Sequence, residues 1–276
     1  MPAADPRAVE SLLAFWVEAG VDVAYGDAPN DRMAAGLEAL KPRPAAAPQP
    51  IGARAAPGAS GAPLRAPVVD AAAVASARDA ANAASDLAAL EAAITAYEGC
   101  DLKRQGARQA VFARGNPNAA VMVIGEGPGA EEDLQGAPFV GRAGKLLDRM
   151  LAAAGLTDRV FITNTVFWRP PGNRTPSPAE QAACAPFLER AIELVQPKLL
   201  MLAGGASAKH VLQTTDGILS LRGRWFEWRS ADGALELPAL PTLHPAFLLR
   251  QPAAKKKAWE DLMMLVERLD RPARPT

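Results

Sequence analysis

The feature that most constrains the fold is an alternation of two hydrophobic patterns beyond residue 100. Short, nearly all-apolar runs rich in β-branched residues occupy positions 120–124, 160–165, 199–203 and 237–243. Longer segments with apolar residues at helical spacing occupy positions 141–154, 178–195, 206–212 and 253–269. Apolar strands that alternate with helices are typical of a mostly parallel sheet covered on both faces. The pattern predicts an α/β domain with a central four-stranded sheet and with ligands bound beyond the carboxyl ends of its strands.

The first 100 residues are organised differently. Residues 1–40 contain one amphipathic stretch, at 7–19, which predicts a small docking helix. Residues 41–69 hold 7 Pro, 9 Ala and 3 Gly but no acidic residue, which predicts a flexible linker. Residues 70–97 are rich in alanine and favour helix. We therefore predict an N-terminal helical segment at 1–40, an Ala/Pro-rich linker at 41–69 and a folded domain at 70–276.

The composition excludes several classes of protein. The chain has two cysteines, too few for a disulfide scaffold, an all-cysteine zinc site or a four-cysteine iron–sulfur cluster. It has no run of about 18 apolar residues and no basic N-terminal region followed by an apolar core. These features predict a soluble, cytoplasmic protein with reduced thiols. Residues 101–276 carry 23 basic and 18 acidic residues, a modest excess that suits transient rather than tight contact with DNA.

A glycine-rich loop, Gly-Glu-Gly-Pro-Gly-Ala, follows the first predicted strand at residues 125–130. Its G-x-G-x-x-A spacing is a weak dinucleotide signal. Four carboxylates and a proline in this region argue against a phosphate site: Glu126, Glu131, Glu132, Asp133 and Pro128. The loop favours instead a close approach of backbone to a small flat ligand, with carboxylates beside an electron-poor centre. The structural alternative is a tight turn into a helix that begins with acidic residues.

Three composite motifs resemble the signature blocks of the family 4 uracil-DNA glycosylases. They are GEGPGAEEDLQGAPFVGRAGKLLD at 125–148, VFITNTVFWRPPGNRTPSPAE at 160–180 and LHPAFLLRQP at 243–252. The resemblance covers roughly residues 97–270 in order and spacing. It implies a three-layer α/β/α sandwich, here with an N-terminal helical extension, that hydrolyses the N-glycosidic bond of uracil in DNA.

The resemblance also implies how uracil would be bound. Phe139 would stack on the flipped base, Asn164 would bind its edge, Gly127 would line the same pocket, and His244 would contact O2. The chemistry agrees, since an Asn amide can accept from N3–H and donate to O4, and a histidine can stabilise charge developing on O2. Each side chain alone has a structural alternative: a core phenylalanine, a capping asparagine, and a loop histidine.

Two carboxylates are candidates for the water-orienting catalytic group. Glu126 occupies the principal acidic position of the resembling motif, and Glu132 occupies a second one. A carboxylate near the sugar would stabilise a developing positive charge and orient the attacking water. We favour Glu126, but the sequence does not separate the two.

Basic residues and one apolar loop are candidates for DNA contact. Arginines at successive strand ends would bind phosphate, and an apolar run after His244 would fill the gap left by the flipped base. The candidate residues are Arg142, Arg169, Arg174, Phe247, Leu248, Leu249 and Arg250.

The chain departs from the family at a four-cysteine ligand set. Cys100 and Cys184 match two of the cysteines that hold an iron–sulfur cluster in most family 4 enzymes, whereas Tyr97 and Trp168 stand at the other two positions. We therefore expect no cofactor and no bound metal. We hypothesise that the two aromatic rings occupy the volume of the cluster.

The leading hypothesis is a uracil-DNA glycosylase of base-excision repair. Its partner would be uracil-containing DNA, single- or double-stranded, with no membrane partner. We expect a monomer in the cytoplasm, associated with the nucleoid. The alternative function is that of a catalytically weak, glycosylase-like DNA-binding module. A nucleotide-binding enzyme is a third possibility, and it would bind dinucleotides and ignore DNA.

Overall fold

The structure is a computed structural model, and it describes residues 70–271. The predicted N-terminal helical segment at 1–40 and the predicted linker at 41–69 lie outside the described residues. The first described element is helix α1, Ala71–Ala83, which begins at Asp70, where the side chain accepts a hydrogen bond from the backbone N–H of Ala72. Helix α2, Leu87–Ala96, begins in the same way at Asp86.

A six-stranded sheet lies at the centre of the described fold. Its strands are β1 (Ala113–Gly115), β2 (Val121–Gly125), β3 (Val160–Asn164), β4 (Leu199–Ala203), β5 (Phe226–Arg229) and β6 (Glu236–Thr242). Their order across the sheet is β1-β3-β2-β4-β6-β5. Strands β2, β3, β4 and β6 pair in parallel, whereas β1 and β5 pair antiparallel at the two edges.

The prediction of a mostly parallel sheet is confirmed, but the count of four strands is wrong. The four predicted strands are the parallel ones, which are mostly apolar because helices cover both of their faces. The two additional strands lie at the edges, and their burial patterns include half-exposed and exposed positions. An edge strand pairs on one side only, so it does not need a continuous apolar run.

Seven helices follow the first sheet strand in the described chain. They are α3 (Ala130–Gln135), α4 (Arg142–Ala153), α5 (Pro178–Val195), α6 (Gly205–Val211), α7 (Ile218–Leu221), α8 (Pro245–Arg250) and α9 (Lys255–Asp270). Helix α5 has the bounds predicted from the sequence, and a capping box between Ser177 and Glu180 fixes its start. None of the described helices has both the length and the apolar content needed to cross a membrane.

Alternate residues of the parallel strands point to two separate cores, which gives the fold its three layers. On one face, Met122 and Ile124 of β2 join a core that includes residues of α1, α2 and α5. On the other face, Val121 and Val123 join a core formed with α4 and α9. The period of two along each strand thus places helices on both sides of the sheet, as the resemblance implied.

Candidate active site

A cavity of about 500 Å³ opens at the carboxyl ends of the parallel strands. This is the edge at which parallel α/β sheets usually bind ligands, because the loops that leave the strands meet there. The cavity brings together eight of the residues predicted from the sequence: Glu126, Gly127, Glu132, Phe139, Asn164, Arg174, His244 and Arg250.

Phe139 forms one wall of the cavity and has an unusual backbone. Its φ angle is 55°, in the left-handed region that few residues other than glycine adopt. Two glycines make room for it. A Cβ at position 125 would lie 2.6 Å from ring carbons of Phe139, and a Cβ at position 144 would overlap the Phe139 carbonyl. Gly125 and Gly144 are therefore required by close approach to one aromatic residue.

Asn164 ends strand β3 directly beside Gly125, its register partner at the end of β2. The residue is buried, yet its side-chain amide forms no hydrogen bond with any described residue. Among the described residues, no side-chain nitrogen or oxygen atom is both fully buried and without a partner, so the amide atoms of Asn164 keep accessible surface. Asn164 lines the cavity, so its free donor and acceptor groups are available to a ligand there.

The structure separates the two candidate carboxylates. Glu132 accepts hydrogen bonds from the backbone N–H groups of Gly129, Val140 and Gly141, at 3.1, 3.0 and 2.9 Å. It thereby ties the start of α3 to the loop that carries Phe139. In contrast, the Glu126 side chain forms no hydrogen bond or ion pair with the described residues, although it lines the same cavity.

His244 is held as a neutral imidazole with a defined orientation. Its Nδ1 atom accepts a hydrogen bond from the Ala246 N–H at 3.1 Å, which places the ring proton on Nε2. The pKa of His244 is lowered to about 4, chiefly by burial and to a smaller extent by Arg250, whereas Glu132 acts in the opposite direction. The ring lies 5.6 Å from that of Phe139, centroid to centroid. The backbone of Gly204, at φ 106°, leaves space for the histidine side chain.

The four arginines that are candidates for DNA contact divide into two groups. Arg174 and Arg250 reach the cavity. Arg174 also forms a two-pronged ion pair with Glu180, whose pKa is raised by burial but lowered more by this arginine and by Ser177. Arg142 and Arg169 do not line the cavity, and Arg169 donates to Asn173 at 2.7 Å.

The apolar loop after His244 is only partly available at the surface. Phe247 and Leu249 are half-buried, whereas Leu248 has no exposed surface and packs in a core cluster with Leu146 and Leu243. Leu248 was predicted as a DNA wedge, and in this conformation it is a core residue. Successive side chains of helix α8 point in different directions, so Phe247, Leu248 and Leu249 do not share one face. The apolar sequence alone does not show which of them faces the core.

The two cysteines form part of a closely packed group, which we call the thiol–aromatic cluster: Tyr97, Cys100, Trp168, Cys184 and Phe187. The two Sγ atoms lie 3.8 Å apart, and both thiols are free. The Tyr97 ring lies 6.5 Å from the Trp168 ring and 5.1 Å from the Phe187 ring. All five side chains are buried, and burial raises the pKa of the Cys184 thiol.

This cluster does not fit a four-thiolate metal site. Two of the required ligand positions carry aromatic rings, which offer no thiolate, and those rings are packed against one another in the core. Across residues 70–271, no set of three or more His, Cys, Asp or Glu side chains is arranged to hold a metal ion.

Two features of the site were missed in the sequence. The first is the cavity wall formed by residues 170–176, of which only Arg174 was predicted, although the whole segment lies within a quoted motif. The second is Arg114, which lies on edge strand β1 and contacts the backbone of Phe139. Strand β1 has only three residues, too few to show a clear alternation.

Comparison with known proteins identifies the family. The family model described as the Uracil DNA glycosylase superfamily matches residues 112–263. A protein of Sulfurisphaera tokodaii named Type-4 uracil-DNA glycosylase is 40% identical over 173 residues, covering 60% of this chain and 78% of the relative. Proteins of the same name from Saccharolobus solfataricus (39% identical; 59% and 77% covered) and Pyrobaculum aerophilum (38% identical; 65% and 92% covered) are also similar. The chain belongs to the uracil-DNA glycosylase superfamily.

Proposed function

We propose that the protein removes uracil from DNA by hydrolysing its N-glycosidic bond, leaving an abasic site for base-excision repair. One observation carries this assignment. A carboxylate, a side-chain amide with no hydrogen bond to the described residues, and a neutral imidazole, from Glu126, Asn164 and His244, face one cavity that also contains the Phe139 ring. These groups match the needs of the reaction: base selection, stabilisation of the leaving group and activation of water.

Asn164 and Phe139 select the base. The free amide of Asn164 can accept a hydrogen bond from uracil N3–H and donate one to O4, a pattern that cytosine does not offer. The aromatic ring supplies a stacking surface that is worth about 1–3 kcal/mol for a nucleobase. Because the base must leave the helix to reach this cavity, the ring and the amide also offset the cost of unstacking.

His244 stabilises the uracil anion as it leaves. Uracil leaves as an anion, so negative charge grows on O2 as the glycosidic bond breaks. The Nε2–H of the neutral ring is a hydrogen-bond donor whose orientation is already set by the bond from Ala246 to Nδ1. A donor that is oriented before the reaction stabilises this charge without reorganisation.

Activation of water falls to Glu126, and Glu132 has a supporting role. The carboxylate of Glu126 is free to orient a water molecule and to stabilise the positive charge on the sugar. Glu132 already accepts three backbone hydrogen bonds, so it orders the loops on either side of the cavity. We therefore assign Glu126 as the catalytic carboxylate.

Contact with DNA falls to the basic and apolar residues around the cavity mouth. Arg174 and Arg250 line the cavity, and we propose that they bind phosphates beside the flipped nucleotide, with Arg142 and Arg169 further out along the strand. Phe247 and Leu249 are the candidates for filling the gap in the base stack. We infer that the protein acts as a monomer in the cytoplasm at the nucleoid, a reducing compartment that suits two free buried thiols.

We also infer that the enzyme works without an iron–sulfur cluster, because the thiol–aromatic cluster occupies the place that such a group would need. Iron analysis and a visible spectrum of freshly purified protein test this inference. Stoichiometric iron with broad absorbance near ~400 nm, the usual region for thiolate-ligated clusters, would contradict it.

Alkali-induced cleavage of a uracil-containing oligonucleotide after incubation tests the activity. The wild-type chain is expected to give strand breaks at uracil, and Glu126→Gln, Asn164→Ala and His244→Ala are each expected to lower the rate. Unchanged activity in all three variants would refute the site assignment. Binding of uracil-containing DNA without base release would favour the alternative, a glycosylase-like binding module.

A further inference from the structure

The left-handed backbone conformation of Phe139 needs an explanation, because this conformation is sterically unfavourable for a bulky residue. Its φ angle is 55°, and the residue is not a glycine. Such a conformation persists only where the surrounding structure holds it. The Phe139 ring forms a wall of the uracil cavity, so whatever holds its backbone also sets the position of the ring.

Arg114 holds this backbone from the edge of the sheet. Its Nε atom donates to the Pro138 carbonyl at 2.7 Å, and its Nη2 atom donates to the Phe139 carbonyl at 3.1 Å. The same Nη2 atom donates to Asp148 Oδ1 at 2.6 Å, which orients the guanidinium group from helix α4. One planar side chain therefore fixes two successive carbonyls of the segment that turns into the cavity.

The position of Arg114 is fixed in turn by the sheet. Strand β1 pairs with β3, and the register places Arg114 opposite Ile162, two residues before Asn164. On the other side, the Phe139 carbonyl lies so close to Gly144 that a Cβ there would overlap it. The carbonyl is therefore held between the arginine on β1 and the glycine on α4.

We propose that Arg114 is a positioning residue for uracil excision, acting through Phe139. The inference rests on the proposed function, because it assumes that the Phe139 ring stacks on the base. Arg114 itself does not line the cavity and has no contact with the space that the base would occupy. Without the guanidinium group, the peptide between residues 138 and 139 is free to rotate toward an ordinary conformation, which moves the ring out of register with Asn164 and His244.

A double-mutant cycle in the full chain tests this proposal. The variants are Arg114→Met, Phe139→Ala and their combination, with Arg114→Lys as the conservative change. Arg159→Met is the matched control, because Arg159 also forms an ion pair, with Asp270, but has no contact with the cavity. The measurements are the single-turnover rate of uracil release, inhibition by free uracil, and thermal stability.

If Arg114 acts by positioning the Phe139 ring, the variants should show a distinct pattern of effects. Arg114→Met lowers the single-turnover rate roughly ten- to a hundredfold, as a displacement of about 1 Å can do. It weakens inhibition by free uracil, which needs the ring but makes no phosphate contact. Arg114→Lys has an intermediate effect, since a single ammonium group cannot span both carbonyls. In the Phe139→Ala background, Arg114→Met lowers the rate further by less than about twofold, within the scatter expected of sites that no longer interact.

Two outcomes would overturn the proposal, and they are distinguishable from failure of the proposed function. Equal rate losses from Arg114→Met with and without Phe139 would show that Arg114 acts by another route. Rate losses in both Arg114→Met and Arg159→Met that simply follow their loss of thermal stability would show a general structural effect. If Phe139→Ala alone retained the full rate, the stacking role itself would be wrong. Should Arg114→Met not fold, the same cycle with Arg114→Lys gives the answer.

Discussion

The uracil cavity and the thiol–aromatic cluster follow the same family motifs, yet they differ in what has been kept. In the cavity, the chemical groups are present and free: Glu126 and Asn164 make no side-chain hydrogen bond with the described residues. In the cluster, aromatic rings stand at two of the positions that would carry ligand cysteines in the family. The Tyr97 hydroxyl donates a hydrogen bond to the Ala73 carbonyl at 2.7 Å. Catalysis in the cavity requires particular functional groups. The cluster supports a loop, for which buried side chains that fill the space and hydrogen bonds to neighbouring elements are sufficient. Substitutions in the cluster are therefore expected to change mainly stability, and substitutions in the cavity mainly the rate of uracil release.

The two cavity carboxylates give the sharpest test of this difference. Glu126→Gln is expected to lower the single-turnover rate of uracil release about 10²–10⁴-fold, because the amide can neither act as a base nor stabilise the sugar cation. Glu132→Gln is expected to lower thermal stability as well as rate, since it weakens three backbone hydrogen bonds. Single-turnover kinetics and thermal melts measure the two effects. Glu131→Gln, on an exposed neighbour, is the control and should change neither.

A larger rate loss in a folded Glu132→Gln variant than in Glu126→Gln would reverse the assignment of the two residues. The sequence did not separate them because they lie in the same acidic loop. The difference arises from the amides of Val140 and Gly141, eight and nine residues beyond Glu132, which only the folded chain brings to its carboxylate.

The cluster should respond to substitution in stability rather than in chemistry. Trp168 is among the largest fully buried side chains, and Trp168→Ala is expected to lower the free energy of unfolding by about 3–5 kcal/mol. At temperatures well below the midpoint of unfolding, the rate of uracil release per folded molecule should stay within a few-fold of wild type. Denaturant unfolding and single-turnover assays on the same preparation check both parts. A severe rate loss in fully folded Trp168→Ala protein would mean that the cluster takes part in positioning the site.

The pH dependence of His244 gives a smaller effect with a defined sign. Its pKa lies near 4 rather than near 6.5, chiefly because the ring is buried, so the neutral donor persists throughout the range above about pH 5. We expect the excision rate to show no inflection near pH 6.5 that depends on His244. Because the unfolded chain binds this proton more readily, the stability is complete above about pH 6.5 and falls as the pH is lowered toward 4.

Titration of ring protons by NMR checks this expectation, since the chain has only two histidines. His210, in helix α6, is half-buried, and desolvation lowers its pKa to about 4 as well, so His210→Gln assigns the signals. That variant should leave the rate profile unchanged, because His210 does not line the cavity. A His244 signal that titrates near pH 6.5 would contradict the neutral-donor role.

The sequence predicted the central sheet and most of the cavity because both depend on strong local signals. The four parallel strands are mostly apolar, and the cavity residues lie at or just beyond their carboxyl ends in composite motifs. The edge strands and Arg114 were not predicted, because a three-residue strand has no readable period. The burial of Leu248 was not predicted either, since one helical turn decides which of three adjacent apolar side chains faces the core.

The smallest predicted effect separates two contributions of Tyr97 to stability, the hydrogen bond of its hydroxyl group and the packing of its ring. Tyr97→Phe keeps the ring that packs on Trp168 and Phe187 but removes the hydroxyl that donates to the Ala73 carbonyl in helix α1. We expect a loss of about 1 kcal/mol in the free energy of unfolding, the usual net contribution of one hydrogen bond, with no change in uracil release. Chemical denaturation of the two proteins side by side measures it. If Tyr97→Phe were as damaging as Trp168→Ala, the hydrogen bond to α1, rather than the filled volume, would be the main contribution of this cluster to stability.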